Sequence, residues 1–103
     1  ELINVGGKKV SPIEVEEQIL KIEEIEDCAC IGVPDPDKVL GEVVKAFIVK
    51  KQNSSLTFED ISKQLMGKLE PYKCPVYYQW IDHIPKTQNG KIQRNLLLNN
   101  DRN

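Results

Sequence analysis

The chain has almost nothing from which a metal site, a redox pair or a membrane span is built. Its single histidine, His83, has no ligand partner at metal spacing and reads as a surface or strand-end residue. The three cysteines, Cys28, Cys30 and Cys74, form neither a zinc pattern nor a Cys-x-x-Cys pair. Cys28 and Cys30 stand two apart on one face of an expected strand, a poor geometry for bridging each other. Buried, reduced thiols fit a cytoplasmic protein. The longest apolar runs are strand-sized, which excludes a helical membrane span, and no signal-peptide pattern opens the chain. Aromatics make up 6% of the residues and are not interleaved with basic ones, so no single-strand nucleic-acid platform is present. Residues 14–42 are strongly acidic, relieved only by Lys21 and Lys38, which also argues against a nucleic-acid partner.

What remains is a soluble-type sequence of 103 residues and net charge −2, enough for one domain with a modest core. It opens Glu1-Leu2-Ile3-Asn4-Val5 without an initiator methionine, so it reads as a piece of a longer protein. Gly6-Gly7 between two short apolar runs predicts a hairpin of 2–5 and 8–10. Ser11-Pro12-Ile13-Glu14 predicts a helix start with a capping box; Val15, Ile19 and Ile22 face inward and Glu16, Glu17 and Lys21 outward. Residues 25–33 form an expected strand with Ala29, Ile31 and Val33 on one face and Cys28, Cys30 and Gly32 on the other. The strongest strand signal is 42–51, apolar on both faces, which predicts a central position.

A second helix is expected after Thr57, with Asp60 in its cap and Phe58, Ile61, Leu65 and Leu69 buried; Pro71 and Pro75 close it. Residues 76–84 predict a third strand, 94–98 a short last helix, and 99–103 a frayed end. The class is α+β, with a three-stranded, mainly antiparallel sheet covered by helices and a small N-terminal hairpin.

Against the acidic background stands Pro85-Lys86-Thr87-Gln88-Asn89-Gly90-Lys91-Ile92-Gln93-Arg94, with three cations and no acid. Asn89-Gly90 predicts a tight turn with positive φ, which delivers Lys91 from a fixed backbone position. A flexible ammonium on a pinned turn suits a phosphate or carboxylate. The same stretch also reads as a plain solvated basic turn.

Taken with Gly6-Gly7-Lys8-Lys9-Val10-Ser11-Pro12-Ile13-Glu14-Val15-Glu16, this stretch resembles the paired signature motifs of the small C-terminal (lid) domain of the adenylate-forming enzymes. Gly32-Val33-Pro34-Asp35 and Gly41-Glu42 extend the resemblance over essentially the whole chain, and it is closest to the acyl-CoA synthetases. The resemblance implies a two-step ligase. A carboxylic acid substrate and ATP, with Mg in a large N-terminal domain, give an acyl-adenylate, and the thiol of CoA then displaces AMP. It implies a swinging domain that presents Lys91 to the first step and the hairpin of Gly6, Gly7 and Lys8 to the second, with Lys86 and Arg94 in support.

The whole of 1–103 would then be the C-terminal domain of a larger enzyme whose hinge residue and large domain are absent from it, and which would be inactive alone. Lys8 and Lys9 would meet CoA phosphates or remain solvated strand ends. Val76 stands where many members carry a basic residue, which counts against a CoA contact there. Two other readings stay open: a lid that loads a carrier-protein thiol, and a non-catalytic module that binds a phosphorylated ligand.

Overall fold

The computed structural model describes residues 1–101. Ile3–Val5 (β1) and Lys8–Val10 (β2) pair antiparallel, Val5 opposite Lys8, across the Gly6-Gly7 turn. Both glycines take positive φ, 59° and 86°, which fits a two-residue hairpin turn. Pro12–Ile19 forms α1, and Ser11 caps it by accepting the Glu14 amide at 3.3 Å. The expected capping box is half formed, because the Glu14 carboxylate accepts from Lys73 Nζ at 3.1 Å instead.

Ile25–Pro34 (β3) and Glu42–Lys50 (β4) pair antiparallel along their length. Phe58–Leu65 is α2, with a complete Thr57–Asp60 capping box. It ends six residues before Pro71. Met66 is already extended, Gly67 has φ 79°, and Pro71–Lys73 is a separate 3-10 turn. Leu69 is buried as expected, but from beyond the helix. Tyr77–Trp80 (β5) is shorter than the sequence suggests and joins β4 in parallel, so the β3-β4-β5 sheet is mixed. Arg94–Asp101 (α3) runs past Leu98, and the rest of the expected frayed end, 102–103, lies outside the described residues.

β4 is central, as its two apolar faces require. One face carries Cys28, Cys30, Val44, Ala46 and Ile48 against the hairpin, α1 and α2, through Val5, Val15, Ile19 and Ile61. The other carries Ala29, Ile31, Val33, Val43, Phe47 and Val49 against Ile84, Ile92 and Leu97. The alternation along β3 and β4 is thus what divides the core in two. Among the described residues no helix is long and apolar enough to cross a membrane.

Candidate functional site

Lys91 leaves a closed three-residue loop. The Gly90 amide donates to the Thr87 carbonyl at 2.9 Å, and the Thr87 amide donates to the Lys91 carbonyl at 2.9 Å. The Lys91 amide is held by Thr87 Oγ1 at 3.1 Å. Gly90, at φ 86°, supplies the left-handed residue such a loop needs, and Asn89 does not share that role. Lys86 and Ile92 face each other across the neck, below which the Gln93 amide donates to the Pro85 carbonyl at 2.9 Å.

The neck is tied down on both sides. Lys86 Nζ donates to Asp27 Oδ2 at 2.6 Å, so this exposed lysine is paired rather than free. Arg94 donates from Nε to the Cys30 carbonyl at 3.1 Å and from Nη2 to both Glu16 oxygens at 2.8 and 2.7 Å. Glu16 Oε2 also accepts the Cys30 amide at 2.7 Å. Both backbone groups of Cys30, on an outer strand of the sheet, are therefore satisfied by one ion pair.

This corrects the outward placement of Glu16, which is only 5% exposed. Helical spacing turns it partly toward β3, and its carboxylate finds there an amide and a guanidinium. Burial pushes its pKa up, against the lowering effects of the Cys30 amide and Arg94.

The Lys91 side chain is exposed, and among the described residues its ammonium has no hydrogen-bond, ion-pair or ring partner. It borders an open groove of about 530 Å³ whose lining includes Leu2, Pro12, Ile13, Ile92, Arg94 and Asn95. Among the described residues no cluster of three or more His, Cys, Asp or Glu could hold a metal ion.

Gly6, Gly7 and Lys8 are elsewhere. The Gly6 amide donates to the Leu40 carbonyl at 2.7 Å, and Val5 bridges Gly41, so the hairpin tip docks on the 35–41 loop. That loop is organised by Asp35, whose carboxylate accepts the amides of Asp37, Val39 and Leu40 at 3.1, 3.1 and 2.8 Å. Those amides, Leu40's first, hold its pKa below the ordinary aspartate value. Asn4 completes the dock: its amide donates to Glu42 Oε1 at 2.9 Å, and its Oδ1 accepts the Gly7 amide at 3.0 Å.

A Cβ at Gly7 would meet nothing within 4 Å, whereas one at Gly6 would meet Leu40 Cδ2 at 3.0 Å. Lys8 Nζ lies 4.6 Å from the Tyr72 ring centroid, a cation–π contact, while Lys9 is exposed.

The hairpin tip thus sits at the β3–β4 turn, while Lys86 is fixed to Asp27, near the opposite end of β3. The predicted residues form two separate surfaces, not one pocket. Reasoning from sequence missed Glu16, Asp27 and Asn4. Their partners are 78, 59 and 38 residues away, beyond any local spacing rule.

The structure is thus a small α+β domain that presents, among its described residues, an unpaired lysine on one surface and a double-glycine hairpin on another. The chain belongs to the AMP-binding enzyme C-terminal domain family, whose model matches residues 14–91. It is 40% identical over 97 residues to the oxalate–CoA ligase of Saccharomyces cerevisiae, covering 94% of this chain and 18% of that protein. It is 39% identical over 98 residues to a long-chain-fatty-acid–CoA ligase of Bacillus subtilis, covering 95% and 17%. ATP-bound MatB from Rhodopseudomonas palustris shares the fold at a TM-score of 0.89 and 29% identity, covering 99% of this chain and 20% of that one. The chain spans about a fifth of the length of these relatives.

Proposed function

We propose that this is the mobile C-terminal domain of an AMP-forming acyl-CoA synthetase, bringing Lys91 to adenylation and the Gly6-Gly7 hairpin to thioester formation. The observation that carries the reading is the exposed Lys91 ammonium, unpartnered among the described residues, on a turn closed by three hydrogen bonds. In the first step a carboxylate attacks the α-phosphate of ATP, so two anions must meet. An ammonium between them offsets their repulsion and the charge that develops on the phosphoryl oxygens. Magnesium belongs with the large domain. In the second step a different surface is needed, and the hairpin tip supplies one: no side chain at Gly7, open space around it, and Lys8 beside it for the phosphates of CoA.

The acid is selected outside this domain. The two ligases matched above are nearly equal in identity to it, yet are named for a dicarboxylate and a long-chain fatty acid. An open groove, not an enclosing pocket, beside Lys91 also counts against a free-standing phosphate-binding module. The free thiols of Cys28, Cys30 and Cys74 support a reducing compartment, the cytoplasm in our reading.

The test is Lys91→Ala in the enzyme that carries this domain, with each half-reaction measured by itself. Adenylation should slow by about 10²–10³, the usual loss for one well-placed electrostatic stabiliser. Thioester formation from supplied acyl-adenylate should continue. Adenylation at the wild-type rate would return Lys91 to the status of a solvated turn residue.

A further inference from the structure

Lys91 is separated from Arg94 by only Ile92 and Gln93, at most about 11 Å of extended chain. Ile92 packs into the second core, and Gln93 is bonded back to Pro85. Arg94 is in turn immobilised by three hydrogen bonds to two elements, α1 and β3. The backbone that carries Lys91 is therefore fixed from the Thr87 side by the loop and from the Arg94 side by this bracing. The first of these has a local cause; in the second, two of the three Arg94 hydrogen bonds go to Glu16 and the third to the Cys30 carbonyl, beside the Glu16-bound Cys30 amide.

We propose that Glu16 is a positioning residue for Lys91, acting through Arg94 and Cys30 to set where the lysine turn leaves the domain. The inference rests on the reading of Lys91 given above. Glu16 is 5% exposed, so it cannot itself touch a substrate, whereas Arg94 borders the groove. An ion pair buried in this way is a weak source of stability, because desolvation of both charges opposes their attraction. Burial does push the Glu16 carboxyl up, which fits a pair held for geometry more than for stability. In catalysis, displacing a reacting or stabilising group by about 1 Å can cost on the order of 10²-fold in rate.

The experiment uses the whole enzyme with Glu16→Gln, Arg94→Lys, Lys91→Ala and the double variant Glu16→Gln/Lys91→Ala. Adenylation and thioester formation are measured separately in single turnovers, beside the thermal midpoint. Glu16→Gln should slow adenylation by about ten- to a hundredfold and leave the thioester step within about twofold. Because Glu16 acts through Lys91, the double variant should be no slower in adenylation than Lys91→Ala alone.

Equal losses in both half-reactions, additive slowing in the double variant, or a wild-type adenylation rate in Glu16→Gln would each overturn the proposal. Arg94→Lys keeps a charge beside Glu16 but loses the fork, and it provides the same measurement should Glu16→Gln fail to fold. If neither variant folds, the pair is a folding element and the positioning claim falls. A wild-type adenylation rate in Lys91→Ala sinks the reading of Lys91 itself. A slow Lys91→Ala beside a normal Glu16→Gln sinks only the positioning role.

Discussion

Replacing Gly7 by leucine separates what the hairpin does for this domain from what it does for a partner surface. Inside the domain a side chain at Gly7 meets nothing within 4 Å, so packing gives no reason for a large effect. The backbone does: φ is 86°, and an L-residue forced into the left-handed region costs roughly 1–2 kcal/mol. For a domain of this size each kcal/mol lowers the thermal midpoint by about 4–8 °C. Gly7→Asn tolerates that backbone far better and adds less bulk, so it isolates strain from size.

Scanning calorimetry reports the strain, and single-turnover assays of the whole enzyme report the function. If the hairpin serves the thioester step as proposed, Gly7→Leu should form acyl-adenylate normally and accumulate it, because a branched chain would fill the space the thiol arm needs. Gly7→Asn should stay near the wild-type midpoint and lose less of the thioester step. If Gly7→Leu lowers both half-reactions in proportion to its lost stability, the hairpin is a tight turn and no more.

The isolated domain should bind ATP and CoA only weakly, since Lys91 and the hairpin border open surfaces and not an enclosing pocket; saturable, tight calorimetric binding of either would contradict this. Asp35→Asn should weaken the dock of the hairpin tip and slow the thioester step while sparing adenylation; an unchanged thioester rate would show that the 35–41 loop does not matter there. The same carboxylate sets an acid limit. Its contribution to stability is complete above the ordinary aspartate value of 3.8 and is lost as the pH falls through its depressed native value, so the wild-type midpoint should drop more steeply below pH 3.8 than that of Asp35→Asn. Phe47→Ala, at a fully buried site in the second core, should cost about 3–5 kcal/mol in chemical denaturation, and a loss below about 1 kcal/mol would contradict its place there.

Local rules carried far in this chain. The division of β3 and β4 into two faces, the central place of β4, the Thr57 cap and the glycine turns at 6–7 and 90 all follow from spacing and backbone chemistry within a few residues. What escaped was set at long range. Glu16 falls at a position between the buried and solvent faces of α1, and only Arg94, 78 residues on, decides that it is buried. The parallel direction of β5 depends on how α2 and the 3-10 turn carry the chain back across the sheet, which the apolar pattern of Tyr77–Trp80 does not encode. The early end of α2 was legible in principle, since Gly67 stands where a helix would need to continue. The Lys91 turn was readable as a turn, but its tethers to Asp27 and Cys30 were not.

The mixed sheet also fixes an order of assembly. β3 and β4 are joined by the short 35–41 connection, whereas β4 and β5 are separated by residues 51–76. Closing the longer connection costs about 1 kcal/mol more in chain entropy, and it must be met before the parallel pairing returns anything. The β3–β4 ribbon is therefore expected to form first, with β5 and then Lys86–Arg94 added later. Opening follows the reverse sequence, so amide hydrogens around Thr87–Lys91 should exchange through local release while those of β3 and β4 stay protected. A molecule that has let go only of this last segment is still a folded domain, with Lys91 out of register.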